Sequence, residues 1–181
     1  MQKFILYINE ESDKYLQEED ISCYLLESTL SEKFIRDFIN KAGKLEKIVL
    51  LIGGLAAERQ KEFQADGIVI DLSKSQNVVT DYKKAVKGCF KNAIIGVISR
   101  NRRHEAMLIS ECEPDFLIFN VWKDGDEQTR EIISWYNELF LIQSALFCRE
   151  EGIEIEKYQT DIAIINEKMY KILIAKKRKL D

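Results

Sequence analysis

The stretch Gln64–Asp71 reads QADGIVID. Ala65-Asp66-Gly67 closes a helix-like segment, and a β-branched run follows at once, which is how a helix hands over to a buried parallel strand. The run ends in Asp71-Leu72-Ser73-Lys74-Ser75. Barrels and doubly wound sheets both place ligand-binding groups there, at the carboxyl end of a strand. The question is whether this strand end belongs to a working active site or to a scaffold that has lost one.

Similar runs lie on either side. KFILYI (3–8), ISCYLLE (21–27), KIVLLIG (47–53), GIVIDL (67–72), AIIGVIS (93–99), DFLIFNVW (115–122), LFLIQSALF (139–147) and TDIAIIN (160–166) are mostly continuous in apolar character rather than alternating. That is the pattern of parallel strands covered on both faces. Amphipathic segments separate most of them. SEKFIRDFINKAGK places Phe34, Ile35, Phe38, Ile39 and Ala42 on one face, with Ser31 as N-cap and Gly43 as the stop. VVTDYKKAVKGCF aligns Val79, Tyr82, Val86 and Phe90, and GDEQTREIISWYNELF turns Ile132, Ile133, Tyr136 and Leu139 or Phe140 inward. The segment RRHEAMLISECE ends before Pro114. This alternation predicts a compact (β/α)8 TIM barrel, with an open doubly wound parallel sheet as the alternative. The chain of 181 residues is short for a barrel, whose usual lower end is about 200. The first crossover, DKYLQEED, has room for about two helical turns. We expect a single domain over 1–175 and a basic tail over 176–181.

A net charge of −4 gives no general reason to bind nucleic acid or an anionic membrane. The N-terminus lacks a signal-peptide pattern, and no apolar run reaches a membrane span, so a cytoplasmic protein is expected. Four cysteines, at 23, 89, 112 and 148, form no C-x-x-C and read as buried free thiols. The one histidine, His104, has no partner at metal-ligand spacing, so no metal site is expected.

Several fragments, taken in order, resemble the thiamine phosphate synthases and the related thiazole tautomerases. QADGIVIDL is similar to that family's A-D-G-V-H-L-G strand, and Ala93-Ile94-Ile95-Gly96-Val97-Ile98-Ser99 to its I-I-G-V-S strand. Glu105-Ala106 resembles the E-A of the next helix, and Cys112-Glu113-Pro114-Asp115-Phe116-Leu117 the G-A-D-Y-L entry to strand six. Phe4–Tyr7 and Thr160–Ile165 suit the first and last strands. The resemblance implies a barrel that joins hydroxymethylpyrimidine diphosphate to thiazole phosphate, with magnesium as cofactor only if that activity survives.

The departures fall on the chemistry. The family's Q-L-R-x-K is Tyr24-Leu25-Leu26-Glu27-Ser28-Thr29 here, and its N-D pair after strand three is Ile52-Gly53-Gly54-Leu55. The second magnesium carboxylate is missing from Asp71-Leu72-Ser73-Lys74-Ser75. The Gly-Gly of strand seven is matched to Gln143-Ser144-Ala145, and the S-A of strand eight to Asn166-Glu167. Expelling pyrophosphate calls for metal and cationic support, so the expectation is a divergent member with impaired or lost catalysis, a pseudoenzyme. The alternative is a non-catalytic binding or interaction protein on the same scaffold.

The candidate ligand pocket comprises Asp71, Ser73, Arg100, Asn120 and Asn166, with catalytic residues unassigned. Asp71 and Ser73, with Lys74, have a plainer reading as a helix cap and solvated loop. Arg100, Arg102 and Arg103 with Asn101 are an anion contact or a basic loop. His104 falls a turn late for the mouth, Trp122 stacks on a ligand or fills a vacated space, and Gly53-Gly54 is a phosphate loop or an ordinary turn. Trp135, Tyr136 and Phe140 form outer-helix core or a homo-oligomer face. A small phosphorylated ligand is the expected partner.

Overall fold

In the computed structural model, which describes residues 2–121 and 127–177, eight parallel strands close on themselves in chain order. They are β1 Lys3–Ile8, β2 Cys23–Glu27, β3 Ile48–Ile52, β4 Gly67–Asp71, β5 Ile94–Ile98, β6 Phe116–Val121, β7 Gln143–Cys148 and β8 Ile162–Asn166. Ile5 of β1 stands opposite Cys23 of β2 and Ile164 of β8. That second pairing removes both sheet edges and excludes the open-sheet alternative. Helices α1 Glu32–Lys44, α2 Ala56–Phe63, α3 Val78–Val86, α4 Arg103–Ser110, α5 Glu127–Leu139 and α6 Glu167–Lys177 surround the strands. The fold is a (β/α)8 TIM barrel.

The two short crossovers lack α-helices. DKYLQEED makes hydrogen-bonded turns, with Leu16 N–H on the Asp13 carbonyl and Glu18 N–H on that of Tyr15. The buried Tyr24 hydroxyl donates to the Tyr15 carbonyl at 2.9 Å and anchors this segment without a helix. Between β7 and β8 there is one 3-10 turn, Ile155–Tyr158.

Two apolar cores follow from strand parity, since successive side chains point to opposite faces. Ile5, Leu25, Leu50, Ile52, Val69, Ile98, Phe116, Ile118, Ala145, Phe147, Ile162 and Ile164 fill the barrel. The intervening residues, such as Leu6, Leu26, Leu51, Val97, Leu117, Phe119 and Leu146, meet the helices. Both faces of every strand are therefore buried, which explains the unbroken apolar runs. Gly96 belongs to the inner set because a Cβ there would lie 2.4 Å from the Phe116 ring. The missing side chain is the space that the ring occupies.

A short turn recurs at the amino end of three even-numbered strands. Gln64, Glu113 and Gln159 are left-handed, with φ of 58°, 54° and 52°. Each is followed by one residue and then an aspartate, in Gln64-Ala65-Asp66, Glu113-Pro114-Asp115 and Gln159-Thr160-Asp161. Each aspartate reaches back to the preceding strand. Asp66 accepts from Val49 N–H at 2.7 Å, Asp115 from Ile95 N–H at 2.7 Å and Asp161 from Ser144 N–H at 2.9 Å. The first aspartate of QADGIVID, Asp66, thus staples the floor of the barrel, the face associated with stability rather than chemistry. Replacing Asp66, Asp115 or Asp161 with alanine is expected to lower unfolding free energy by about 1–2 kcal/mol each, the worth of a charge-assisted bond at an exposed site. Urea denaturation measures this.

Several expectations are corrected. The helix before β4 ends in left-handed Gln64 rather than at Gly67, which is already in the strand. Helix α1 runs past Gly43 to Lys44. β7 begins at Gln143, not 139, because the apolar LFLI run is the end of α5 and an exposed turn, with Leu141 fully exposed. Phe90, aligned by spacing with Val79, Tyr82 and Val86, lies beyond the end of α3 and is 44% exposed. Of the four free thiols, Cys89 and Cys148 are buried but Cys23 and Cys112 are only half-buried. The Ser31 cap forms as expected, its hydroxyl accepting from Phe34 N–H at 3.3 Å. α6 continues through Lys177, and residues 178–181 of the basic tail lie outside the described residues. Among the described residues no helix is long and apolar enough to cross a membrane.

Candidate functional site

The inward parity that fills the barrel continues one step past the apolar layers at its carboxyl end. Two residues beyond Ile5, Leu25, Val69, Ile118, Phe147 and Ile164 stand Tyr7, Glu27, Asp71, Asn120, Arg149 and Asn166. All six are polar, so the apolar interior is capped by a polar mouth. Register brings them together, with Tyr7 opposite Asn166 and Asn120 opposite Phe147.

Phe147 organises this layer. The Arg149 guanidinium lies 3.7 Å over its ring, and the Tyr7 ring meets it edge-on with centroids 5.2 Å apart. Arg149 Nε donates to Asn120 Oδ1 at 2.9 Å, and its backbone N–H donates to the Val121 carbonyl. The Tyr7 hydroxyl donates to Glu27 Oε2 at 2.8 Å. Burial, reinforced by the Glu27 hydrogen bond and charge, pushes the Tyr7 phenol well above its ordinary range, so it stays protonated. Burial also pulls Arg149 below its ordinary value, and Tyr7, Asp71 and Glu27 oppose that shift. The guanidinium remains charged.

Gly53 stands against Glu27. Its φ is +110°, and a Cβ on it would lie 2.6 Å from Glu27 Oε1. The backbone conformation favours glycine, and a side chain here would displace the Glu27 carboxylate and the Ser28 hydroxyl. A cavity of about 910 Å³ opens over Tyr7, Glu27, Gly53, Gly54, Asp71 and Arg149, and extends down the flank past Ala57, Lys84 and Gly88. A second, of about 820 Å³, lies between the ends of β1, β7 and β8 and shares Tyr7 and Arg149. The first is within the size range of small-molecule sites.

The five residues picked from sequence divide unevenly. Asp71 lines the first cavity, and its Oδ1 accepts from Ser73 N–H at 2.9 Å. Ser73 follows in the loop and lines neither cavity. Asn120 is 5% exposed and holds Arg149. Asn166 lines the second cavity, but its Oδ1 caps α6 by accepting from Met169 N–H at 2.9 Å. Parity would point Arg100 inward after Ile98. Its guanidinium instead donates to the Ser75 carbonyl and pairs with Glu105 at 3.3 Å, which takes it away from the mouth. His104 is exposed on the first turn of α4. Trp122 and Lys123 lie outside the described residues.

The match of the strand-seven glycines to Gln143-Ser144-Ala145 is also corrected. Gln143 and Ser144 pair with Phe116 and Leu117 at the amino end of the barrel, so they cannot face a ligand at the mouth. The residues that follow β7 at the mouth are Arg149-Glu150-Glu151-Gly152. Among the described residues no three acidic, histidine or cysteine side chains converge as a metal site.

No protein-family model and no curated protein matches the sequence. Solved structures do. The YdjI aldolase from Escherichia coli K12 superposes with a TM-score of 0.69 at 11% identity, over 99% of this chain and 81% of that one. A variant of the citrate synthase SbnG gives 0.66 at 13%, over 99% and 96%. The 3-hexulose-6-phosphate synthase from Salmonella typhimurium gives 0.61 at 14%, over 91% and 89%. The likeness is one of fold. A fold of this kind hosts many functions, and what distinguishes this chain lies in the side chains of its mouth.

Proposed function

We propose that this chain is a divergent thiamine phosphate synthase-like barrel that no longer makes thiamine phosphate and binds a small phosphorylated molecule at its mouth. The observation that carries the reading is Arg149, a half-buried guanidinium stacked on Phe147 and fixed by Asn120 at the rim of the larger cavity. A planar cation held in one orientation suits a phosphate or carboxylate oxygen pair. It follows β7, in the part of the barrel where phosphate sites are common. Glu27 and Asp71 beside it suit hydroxyl donors on the same ligand. Phosphorylated sugars figure in the name of 3-hexulose-6-phosphate synthase, which shares the fold, and that agrees with this ligand class. Glu27 and Gly53-Gly54, which the resemblance aligns with the family's phosphate-binding bases and magnesium carboxylate, support the loss of thiamine chemistry.

Two assays test this reading. Hydroxymethylpyrimidine diphosphate, thiazole phosphate and magnesium should release no pyrophosphate above a protein-free control, and steady release would restore the original activity. A thermal-shift panel of pyrophosphate, ribulose 5-phosphate and dihydroxyacetone phosphate should contain a stabilising compound. At one hundred times its dissociation constant a ligand contributes about 2.7 kcal/mol, a rise of about 5–10 °C for a domain of this size. No rise with any phosphorylated compound would count against the proposal.

A further inference from the structure

We propose that the mouth catalyses proton transfer at a carbon next to a carbonyl, with Glu27 as the base, Arg149 as the donor to the developing oxyanion and Tyr7 positioning the base. The inference rests on the ligand reading above and names the reaction that the same site can perform.

The geometry comes from two groups packed on one ring, Tyr7 and Arg149 on Phe147, and from Glu27, which Tyr7 holds. Glu27 Oε2 is held by the Tyr7 hydroxyl at 2.8 Å. Its other oxygen, Oε1, lies against Gly53, where an added Cβ would approach it to 2.6 Å, and both residues line the larger cavity. Tyr7 is fixed edge-on against Phe147, and Arg149 is fixed flat over the same ring by Asn120. Each reacting group therefore has a separate partner that sets its orientation before a ligand arrives, which is the condition for electrostatic preorganisation. A plain structural ion pair would place Glu27 on Arg149 directly. Here the acid is bonded to a neutral phenol and the cation to a neutral amide.

Such a set suits one class of chemistry. A phosphorylated α-hydroxy aldehyde or ketone enters with its carbonyl oxygen and a phosphate oxygen sharing the two Nη groups of Arg149, whose Nε–H is held by Asn120. Glu27 Oε1 takes the proton from the adjacent carbon. The C–H electron pair becomes the carbon–carbon double bond of an enediolate, and the carbonyl π pair moves to oxygen, where the guanidinium meets the new charge. Return of the proton to the same carbon gives exchange or epimerisation; return to the former carbonyl carbon, with the hydroxyl proton passing to the former carbonyl oxygen as the new carbonyl forms, gives an aldose–ketose shift. Atoms and electrons balance without an oxidant, reductant or second substrate. The protonated phenol of Tyr7 holds the carboxylate in place through both steps.

The test is hydrogen exchange in heavy water. Wild-type protein is incubated with dihydroxyacetone phosphate, glyceraldehyde 3-phosphate or ribulose 5-phosphate, and loss of the C–H signal beside the carbonyl is followed by proton NMR. Glu27→Gln, purified in the same way, should exchange about 100-fold more slowly, as removal of a general base does. Its melting temperature should stay unchanged, which separates a lost base from a lost fold. Tyr7→Phe keeps the ring against Phe147 and should lower the exchange rate while leaving substrate affinity intact. Equal exchange by wild type and Glu27→Gln would overturn the proposal. So would a wild-type protein that one of these compounds stabilises without any exchange, and in that case the ligand reading would survive. Absence of both stabilisation and exchange would remove the ligand reading and this inference together.

Discussion

Gly67→Ala will cost the barrel about 3 kcal/mol or more, above the usual range for one added methyl group. A Cβ at this position would lie 2.0 Å from the Ile94 carbonyl oxygen and 2.7 Å from its carbon. These are backbone atoms of the neighbouring strand, paired in register with Gly67 itself, so no side chain can rotate away to relieve the contact. The strands must separate, and Asp66, one residue earlier, would lose its hold on Val49. Gly43→Ala is the matched control. It lies in α1 with nothing within 4 Å of the added carbon, and there alanine should stabilise by about 0.5–1 kcal/mol. Urea midpoints for the two variants should move in opposite directions. A Gly67→Ala protein as stable as wild type would mean that β4 and β5 do not approach as described.

Arg149→Met will abolish the thermal response to the stabilising phosphorylated compound, with affinity reduced about 30-fold or more, the scale of a lost charged hydrogen-bonded contact. The methionine keeps the apolar packing on Phe147 and removes both the charge and the bond to Asn120. Arg149→Lys separates these two effects. It keeps the charge but offers no planar face to Phe147 and no Nε–H for Asn120, so an intermediate affinity is expected. Full affinity in the lysine variant would reduce the role of Arg149 to a point charge. Full affinity in the methionine variant would move the ligand away from the mouth.

Much of the fold was legible because burial on both faces leaves a simple mark. Every strand of the barrel overlaps an apolar run that the sequence displays; β2 and β8 begin two residues later than their runs, and β7 begins four later and ends one beyond. There, Leu139 and Leu141 are apolar yet exposed, and composition alone cannot distinguish an exposed leucine from a buried one. That slip had a consequence at the site. It put the strand-seven ligand position at Gln143–Ala145, on the floor, when the mouth residue is Arg149.

Asp71 and Asn120 were found because they close obvious strands. Tyr7 and Arg149 were missed, and Glu27 was noticed only as a departure from a family motif. Their signal was present in the alternation, since each stands two residues past an apolar side chain that faces the barrel axis. Reading it requires knowing which of the two alternating sets faces inward, and in a strand buried on both sides the pattern does not say. Arg100 shows the opposite limit. Its parity is right for the mouth, but Glu105 and the Ser75 carbonyl draw the guanidinium aside, and that is a tertiary contact. The opening stretch carries both halves of the molecule, with Asp66 fastening the floor and Asp71 on the wall of the cavity.

The measurement that bears most directly on a ligand site at the mouth is amide and arginine Nε–H NMR with the phosphorylated panel. On titration with the stabilising compound, the Arg149 Nε–H signal should shift, together with the amides of Tyr7, Glu27, Gly53 and Gly54. Shifts confined to the Arg100–Arg103 loop or to surface lysines, with the Arg149 signal unmoved, would contradict the account.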